Sequence, residues 1–175
     1  MNGLELITPT SVDGTGVSLS GAKVIFTDER TISVNGVFDS TYDNYLVVIR
    51  LRTTSASVMN ARLRANGSDA SGSDYTVQEL RAGGSVSTQR FLANYFRVGG
   101  AHSDVAQNGS HAYFYGPALA QPTAVRSLCI RSDSGARIID NANTHSLSTS
   151  YDGFTIVENG SGMLTGALTI YGLTK

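Results

Sequence analysis

Tyr42-Asp43-Asn44-Tyr45-Leu46-Val47-Val48-Ile49-Arg50-Leu51-Arg52 is the stretch that decides the fold. It is the longest apolar run in the chain, rich in β-branched residues and bounded by turn-formers, a composition that fits a central strand better than a helix. Successive strand side chains alternate between faces, so Tyr45, Val47, Ile49 and Leu51 share one of them. The other face opens with Leu46 and Val48 and becomes charged at Arg50 and Arg52, so one end of it meets water or a partner.

Met59-Asn60-Ala61-Arg62-Leu63-Arg64-Ala65 repeats the period of two. The pattern predicts antiparallel pairing with Leu51 opposite Ala61 and Ile49 opposite Leu63, because a one-residue slip would turn arginines into the core. Thr54 to Val58 would then be the loop of a hairpin. This register would gather Arg50, Arg62 and Arg64, with Arg52 at the edge, on the opposite face. Like charges across a ladder repel, so acids such as Glu79, or a bound partner, are expected to offset them.

The chain around these two segments has 175 residues, enough for one domain with a sizeable core. Thirteen Lys and Arg against fourteen Asp and Glu give a net charge of −1, which leaves no nucleic-acid or anionic-membrane footprint. Charged residues are only 15% of the total, so sheet, turns and packing must stabilise the fold. No long apolar stretch reads as a membrane span, and the start lacks the basic-then-apolar pattern of a signal peptide. These features predict a soluble protein that is not exported by that route. The single cysteine, Cys129, excludes an intrachain disulfide and reads as a buried, inert thiol in the strand-like run Val125 to Ile130.

Residues 1–22 read as an extended N-terminal arm. Leu4, Leu6 and Ile7 form a short apolar patch, after which Pro9 and Asp13-Gly14-Thr15-Gly16 break regular structure. Residues 23–175 read as short strands separated by turn residues, with no capped segment of helical period. That pattern predicts an all-β, antiparallel, jelly-roll-like sandwich, with Val47, Ile49, Leu51, Leu63, Phe154, Ile156, Leu168 and Ile170 in its core. Asn-Gly occurs at 2, 35, 66, 108 and 159, and each pair reads as a turn in which both residues can take positive φ. The three Asn-Gly-Ser sequons at 66, 108 and 159 are explained as turns in the same way.

Several motifs that could carry chemistry have plainer readings. Asp133-Ser134-Gly135-Ala136 matches a retroviral-type aspartic protease signature, yet it reads as the turn between Leu128-Cys129-Ile130 and Ile138-Ile139. Ser20-Gly21-Ala22-Lys23 matches Ser-x-x-Lys, a motif that needs a helix where this stretch favours strand. His102, His111 and His145 lack the spacing of a local metal cluster. Asp69 and Asp74 lie in a Ser/Gly loop without the pattern of an EF-hand. No catalytic, cofactor-binding or metal-ligating residue is assigned, and no cofactor is expected. Tyr75, Tyr95, Tyr113 and Tyr115 lie beside polar loops, the setting in which aromatic faces stack on sugars.

Four segments carry a resemblance: Val34 to Tyr45, Leu63 to Asp69, Thr144 to Phe154 and Leu164 to Gly172. In residues and order they are similar to a widespread family of tailed-bacteriophage virion proteins, found alone or as terminal domains of tail and capsid fibre proteins. The similarity spans roughly residues 30–175, and the lead-in from Pro9 to Phe26 resembles short members from phages of actinobacteria. The resemblance implies a non-enzymatic structural protein of the virion, a capsid decoration protein or a small tail or fibre component, without a cofactor. Its expected partners are itself, as a homotrimer, and a major capsid or tail protein reached through Leu4, Leu6 and Ile7. Nucleic acid and membrane are not expected partners. The alternative is a receptor- or glycan-binding module of a tail fibre, with a host surface glycan as partner.

Overall fold

A computed structural model describes residues 3–101, 108–132 and 135–174. They form strands without a helix: β1 (Leu4–Ile7), β2 (Ser11–Asp13), β3 (Val17–Ser20), β4 (Lys23–Glu29), β5 (Thr31–Asn35), β6 (Asn44–Thr53), β7 (Ser57–Ala65), β8 (Ser68–Asp69), β9 (Tyr75–Gly83), β10 (Ser85–Ala93), β11 (Phe96–Ala101), β12 (Asn108–Tyr115), β13 (Thr123–Ser132), β14 (Ala136–His145), β15 (Gly153–Glu158) and β16 (Leu164–Leu173). All pairings are antiparallel. One sheet has ten strands, ordered β10-β9-β14-β13-β12-β6-β16-β4-β3 with β1 also on β16; the other has six, ordered β11-β7-β15-β5-β2 with β8 on β7. The chain passes repeatedly from one sheet to the other, which gives the jelly-roll-like sandwich that the alternation predicts.

The deciding stretch becomes β6, central in the larger sheet between β12 and β16. Tyr45, Val47, Ile49 and Leu51 are buried, and all eight residues expected in the core lie there. Phe38 bridges the layers, its ring 4.7 Å from Tyr45, 5.4 Å from Phe114 and 5.8 Å from Phe154. Glycine is required where strands close up. A Cβ on Gly166 would sit 2.2 Å from the Arg50 carbonyl oxygen, and one on Gly153 would sit 2.2 Å from that of Val34.

The expected β6–β7 hairpin is not formed. β6 and β7 belong to different sheets, and residues 54–56 carry the chain across the sandwich. The apolar faces of both strands do point inward, but they meet across the core instead of lying side by side. Alternation identifies a buried face; it cannot say whether the residues covering it are in the same sheet or the opposite one. The arginine cluster is therefore divided, with Arg50 and Arg52 outside the large sheet and Arg62 and Arg64 outside the small one.

Residues 1–22 are likewise no free arm over the described part. β1 lines up on β16 with Leu4 opposite Leu173 and Leu6 opposite Tyr171, while β2 pairs with β5 and β3 with β4. Pro9 and the Gly14–Gly16 break set corners between three short strands, two of them at sheet edges. Ile7, Val12 and Val17 pack against the core.

Asn66-Gly67 forms the turn expected of it, with φ of 51° and 76° closing the β7–β8 hairpin. Asn35-Gly36 ends β5 with Gly36 at φ 64°, and Asn159-Gly160 lies between β15 and β16. Asn108-Gly109 does not turn: both residues lie within β12, paired to β6 and β13, where the neighbouring strands determine the backbone. The Asn-Gly at residue 2 involves a position outside the described residues.

Segments of the resemblance meet at one end of the sandwich. Arg64 donates to Asn35 Oδ1 (2.9 Å), Ser33 Oγ (3.1 Å), Thr155 Oγ1 (2.8 Å) and Asp69 Oδ1 (2.5 Å). Asp152 accepts the Val37 and Phe38 amides on its carbonyl oxygen (2.8 and 3.1 Å) and the Asn66 amide on its carboxylate (2.9 Å). These contacts hold strands and loops together, so the quoted residues act here as framework.

Candidate functional site

The outer face of the ten-stranded sheet is the feature that packing does not explain. All of the large apolar side chains exposed among the described residues lie on it, apart from Leu19 and Leu147. Strand registers order them in rows. One row runs Thr169, Val48, His111, Leu128, Asp140, Leu80 and Thr88 across β16, β6, β12, β13, β14, β9 and β10. The next runs Ala167, Arg50, Gly109, Ile130, Ile138, Ala82 and Val86. Together they make an apolar band, with Ile130 54%, Ile138 53% and Val86 71% exposed. Exposed apolar side chains gathered in this way make the band a candidate interaction surface.

On the other side of the His111 row the face changes character. Here the rows read Tyr113, Arg126, Ala142, Gln78, Arg90 and Tyr115, Ala124, Thr144, Thr76, Leu92. The short side chains of Ala124 and Ala142 leave a depression between the tyrosines and β10. The result is an open groove of about 400 Å³ whose lining includes Thr76, Gln78, Arg90, Tyr115, Arg126 and Thr144. Tyr115 forms its wall and stacks with Tyr113 beside it, centroids 6.3 Å apart and rings 18° from parallel, and His111 meets Tyr113 edge-on at 6.0 Å. Arg126 is held by Asp140 (2.8 Å), which raises its pKa further.

Of the residues expected to mediate attachment, Leu4 and Leu6 are about half exposed on this same face, at 55% and 53%, and Ile7 turns inward. The four tyrosines separate. Tyr75 is a core residue, its hydroxyl donating to the Ala70 carbonyl (2.7 Å) and accepting from the Leu63 amide (3.2 Å). Tyr95 is half-buried in the turn before β11, and of the four only Tyr115 lines the groove, with Tyr113 beside it. The groove's polar side was not legible: β10 lacks the alternation of a half-buried strand, so Arg90 gave no signal, and Gln78 and Arg126 stood out only through the parity of their neighbours.

The remaining candidates do not converge. Cys129 is buried, and burial pushes its thiol up to about 11. His111 lies on the outer face and His145 in the core, while His102 is outside the described residues. Asp69 pairs with Arg64, and no group of three metal-ligating side chains is found among the described residues. Ser20 and Lys23 pair across the β3–β4 turn. Asp133 and Ser134 are outside the described residues, but Ser132 pairs with Ala136 and Cys129 with Ile139, as the hairpin reading requires.

Glu79 does not offset the arginines expected of it. It points inward and binds Arg97 (2.6 Å), Arg81 and Gln89 Nε2 (2.6 Å). Burial works to raise its pKa, but the hydrogen bonds from Arg81 and Arg97 outweigh this and leave it lowered, so the carboxylate stays ionised. The other buried glutamate, Glu158, stands on the opposite sheet against Arg30 (3.4 Å). Both buried carboxylates are thus paired with arginine, and they stand on different sheets.

No known protein family and no curated protein matches the chain. Among solved structures it is similar to the exoplasmic/lumenal domain of VIP36 in its Ca²⁺/Man-bound form, at 10% identity and TM-score 0.32, covering 93% of this chain and 82% of that one. It is also similar to an endo-1,3-β-glucanase from Streptomyces sioyaensis, at 10% identity and TM-score 0.24, covering 92% and 80%. SCLam, a non-specific endo-β-1,3(4)-glucanase, follows at 7% identity and TM-score 0.30, covering 90% and 74%. Similarity at this level says nothing about what the groove binds.

Proposed function

We propose that the chain is a non-enzymatic surface protein of a tailed-bacteriophage particle, a capsid decoration protein or small tail or fibre component. It assembles as a homotrimer and docks through the outer face of its ten-stranded sheet. The observation that carries this reading is the gathering of exposed apolar side chains on that face, with Leu4 and Leu6 at its β1 margin. The sequence resemblance supplies the particle, and the face supplies a surface of the kind that permanent contacts use. The test is to purify particles of a phage encoding the chain and locate it with gold-labelled antibody. Regular labelling on heads or tails is expected, together with a trimer mass for the free protein in sedimentation equilibrium. Particles free of label and of the protein by mass spectrometry would end this reading.

A second reading, a receptor- or glycan-binding module, is favoured by the stacked Tyr113–Tyr115 pair beside the polar groove. The two readings are compatible, since the apolar band and the groove occupy different rows of one face.

A further inference from the structure

We infer that the groove beside Tyr115 is a binding site for an acidic oligosaccharide, with Arg90 as the anchor for its carboxylate; this rests on the glycan-binding reading and names its ligand class. Three observations carry it. The wall is the Tyr115 ring, 42% exposed and held near-parallel to its neighbour Tyr113. The flat apolar face of a pyranose covers such a ring while its hydroxyls stay free for polar partners. Those partners line the floor: Thr76 and Thr144 are paired across β9 and β14, and Gln78 lies in the next row.

The charge is the third observation. Of the two guanidinium groups in the lining, Arg126 is already neutralised by Asp140. Arg90 is exposed and makes no ion pair among the described residues. No carboxylate belongs to the groove lining itself. The groove therefore holds one uncompensated cation facing a stacking wall. Tyr115 on β12 and Arg90 on β10 stand four strands apart, roughly 19 Å between backbones at the usual inter-strand spacing. Both side chains line the groove, so an oligosaccharide laid across its floor from the Tyr115 ring can place a carboxylate at Arg90. A guanidinium fork matches a carboxylate in geometry as well as in charge.

The apolar band differs in chemistry: aliphatic side chains offer no directional partners for hydroxyls, and it is left to protein contacts. An acidic peptide would also find Arg90 but would not need a stacking wall, so the tyrosines separate the two ligands.

The experiment is titration calorimetry of the whole protein at low salt with four probes: tri-galacturonate, a hyaluronan tetrasaccharide, neutral galactotriose and the peptide Glu-Glu-Glu. Saturable binding of at least one acidic saccharide is expected, weakened tenfold or more by Arg90→Gln and by Tyr115→Ala. Both positions are exposed, so each variant should keep the wild-type melting temperature, and Tyr115→Phe should bind as wild type. Equal binding of galactotriose would overturn the acidic class while leaving the glycan-binding reading intact. Equal binding of Glu-Glu-Glu, unaffected by Tyr115→Ala, would show a bare anion site and overturn the saccharide. Failure of both acidic saccharides to bind would overturn the inference, and failure of galactotriose as well would remove its parent reading.

Discussion

Ile49 shows what a single side chain contributes in this fold. It is 3% exposed on the central strand of the large sheet, with Leu168 paired beside it on β16. Ile49→Ala is expected to cost about 2–5 kcal/mol through the cavity it leaves. The denaturant midpoint, at unchanged slope, is the measurement. His145 and Glu79 set the response to acid. His145 lies in the core between Tyr75, 4.2 Å away, and Tyr151, 5.4 Å away, and burial lowers its pKa below 6.5. The unfolded chain therefore takes up this proton more readily than the folded one. The stability His145 contributes is complete above pH 6.5 and is lost as pH falls through its folded pKa. Glu79, also lowered, adds a second loss below about pH 4.5, the ordinary value for its side chain. Urea midpoints between pH 8 and pH 3 should fall in that order, and His145→Phe should flatten the upper part of the profile.

At the scale of elements, the burial pattern was legible in the sequence and the partnership of strands was not. Alternation in β6 and β7 named the inward residues correctly. The same residues satisfy a hairpin or two facing sheets, and only the route of residues 54–56 distinguishes them. The ends of β12 and β14 carry little strand signal, because Asn108-Gly109 resembles a turn and Asn141, Asn143 and His145 are polar. Those polar side chains are buried, with Asn143 Nδ2 donating to the Arg97 and Val125 carbonyls (3.1 Å each). Part of the groove was legible, Tyr115 with Tyr113 beside it; its depth comes from alanines that carry no signal of their own. β1 and β2 give the prediction at this scale. Deleting residues 2–16 removes the strand on Ile170 to Leu173 and the edge strand on β5, so the melting temperature should drop. Leu4→Ser with Leu6→Ser leaves both pairings in place and should melt as wild type. The same double variant should reduce incorporation into particles, read as copy number after sedimentation.

For the molecule as a whole, the two layers share their work unevenly. The small sheet covers the inner face of the large one, with β11 lying against β12, β13 and β14. β10 runs past that cover, since Ser85, Ser87 and Gln89 on its inward rows are exposed, and on its outer face Leu92 is 75% and Val86 71% exposed. An edge strand with so much apolar surface is where the large sheet is open to addition by a neighbour. Toward the opposite margin, which β3 edges, β16 also carries β1. Gly3 donates its amide to Thr174 Oγ1 (2.7 Å), and the Thr174 amide donates to the Gly3 carbonyl (3.2 Å). A short Gly/Ser bridge from residue 174 to residue 3 would therefore make the polypeptide a ring without moving a strand, and the ring could be reopened at the exposed Gly83–Gly84 tip of the β9–β10 hairpin. Such a circular permutant should fold and give the parent's far-ultraviolet spectrum. Its new ends would lie beside β10, so that cargo fused there projects from the margin where the sheet is open.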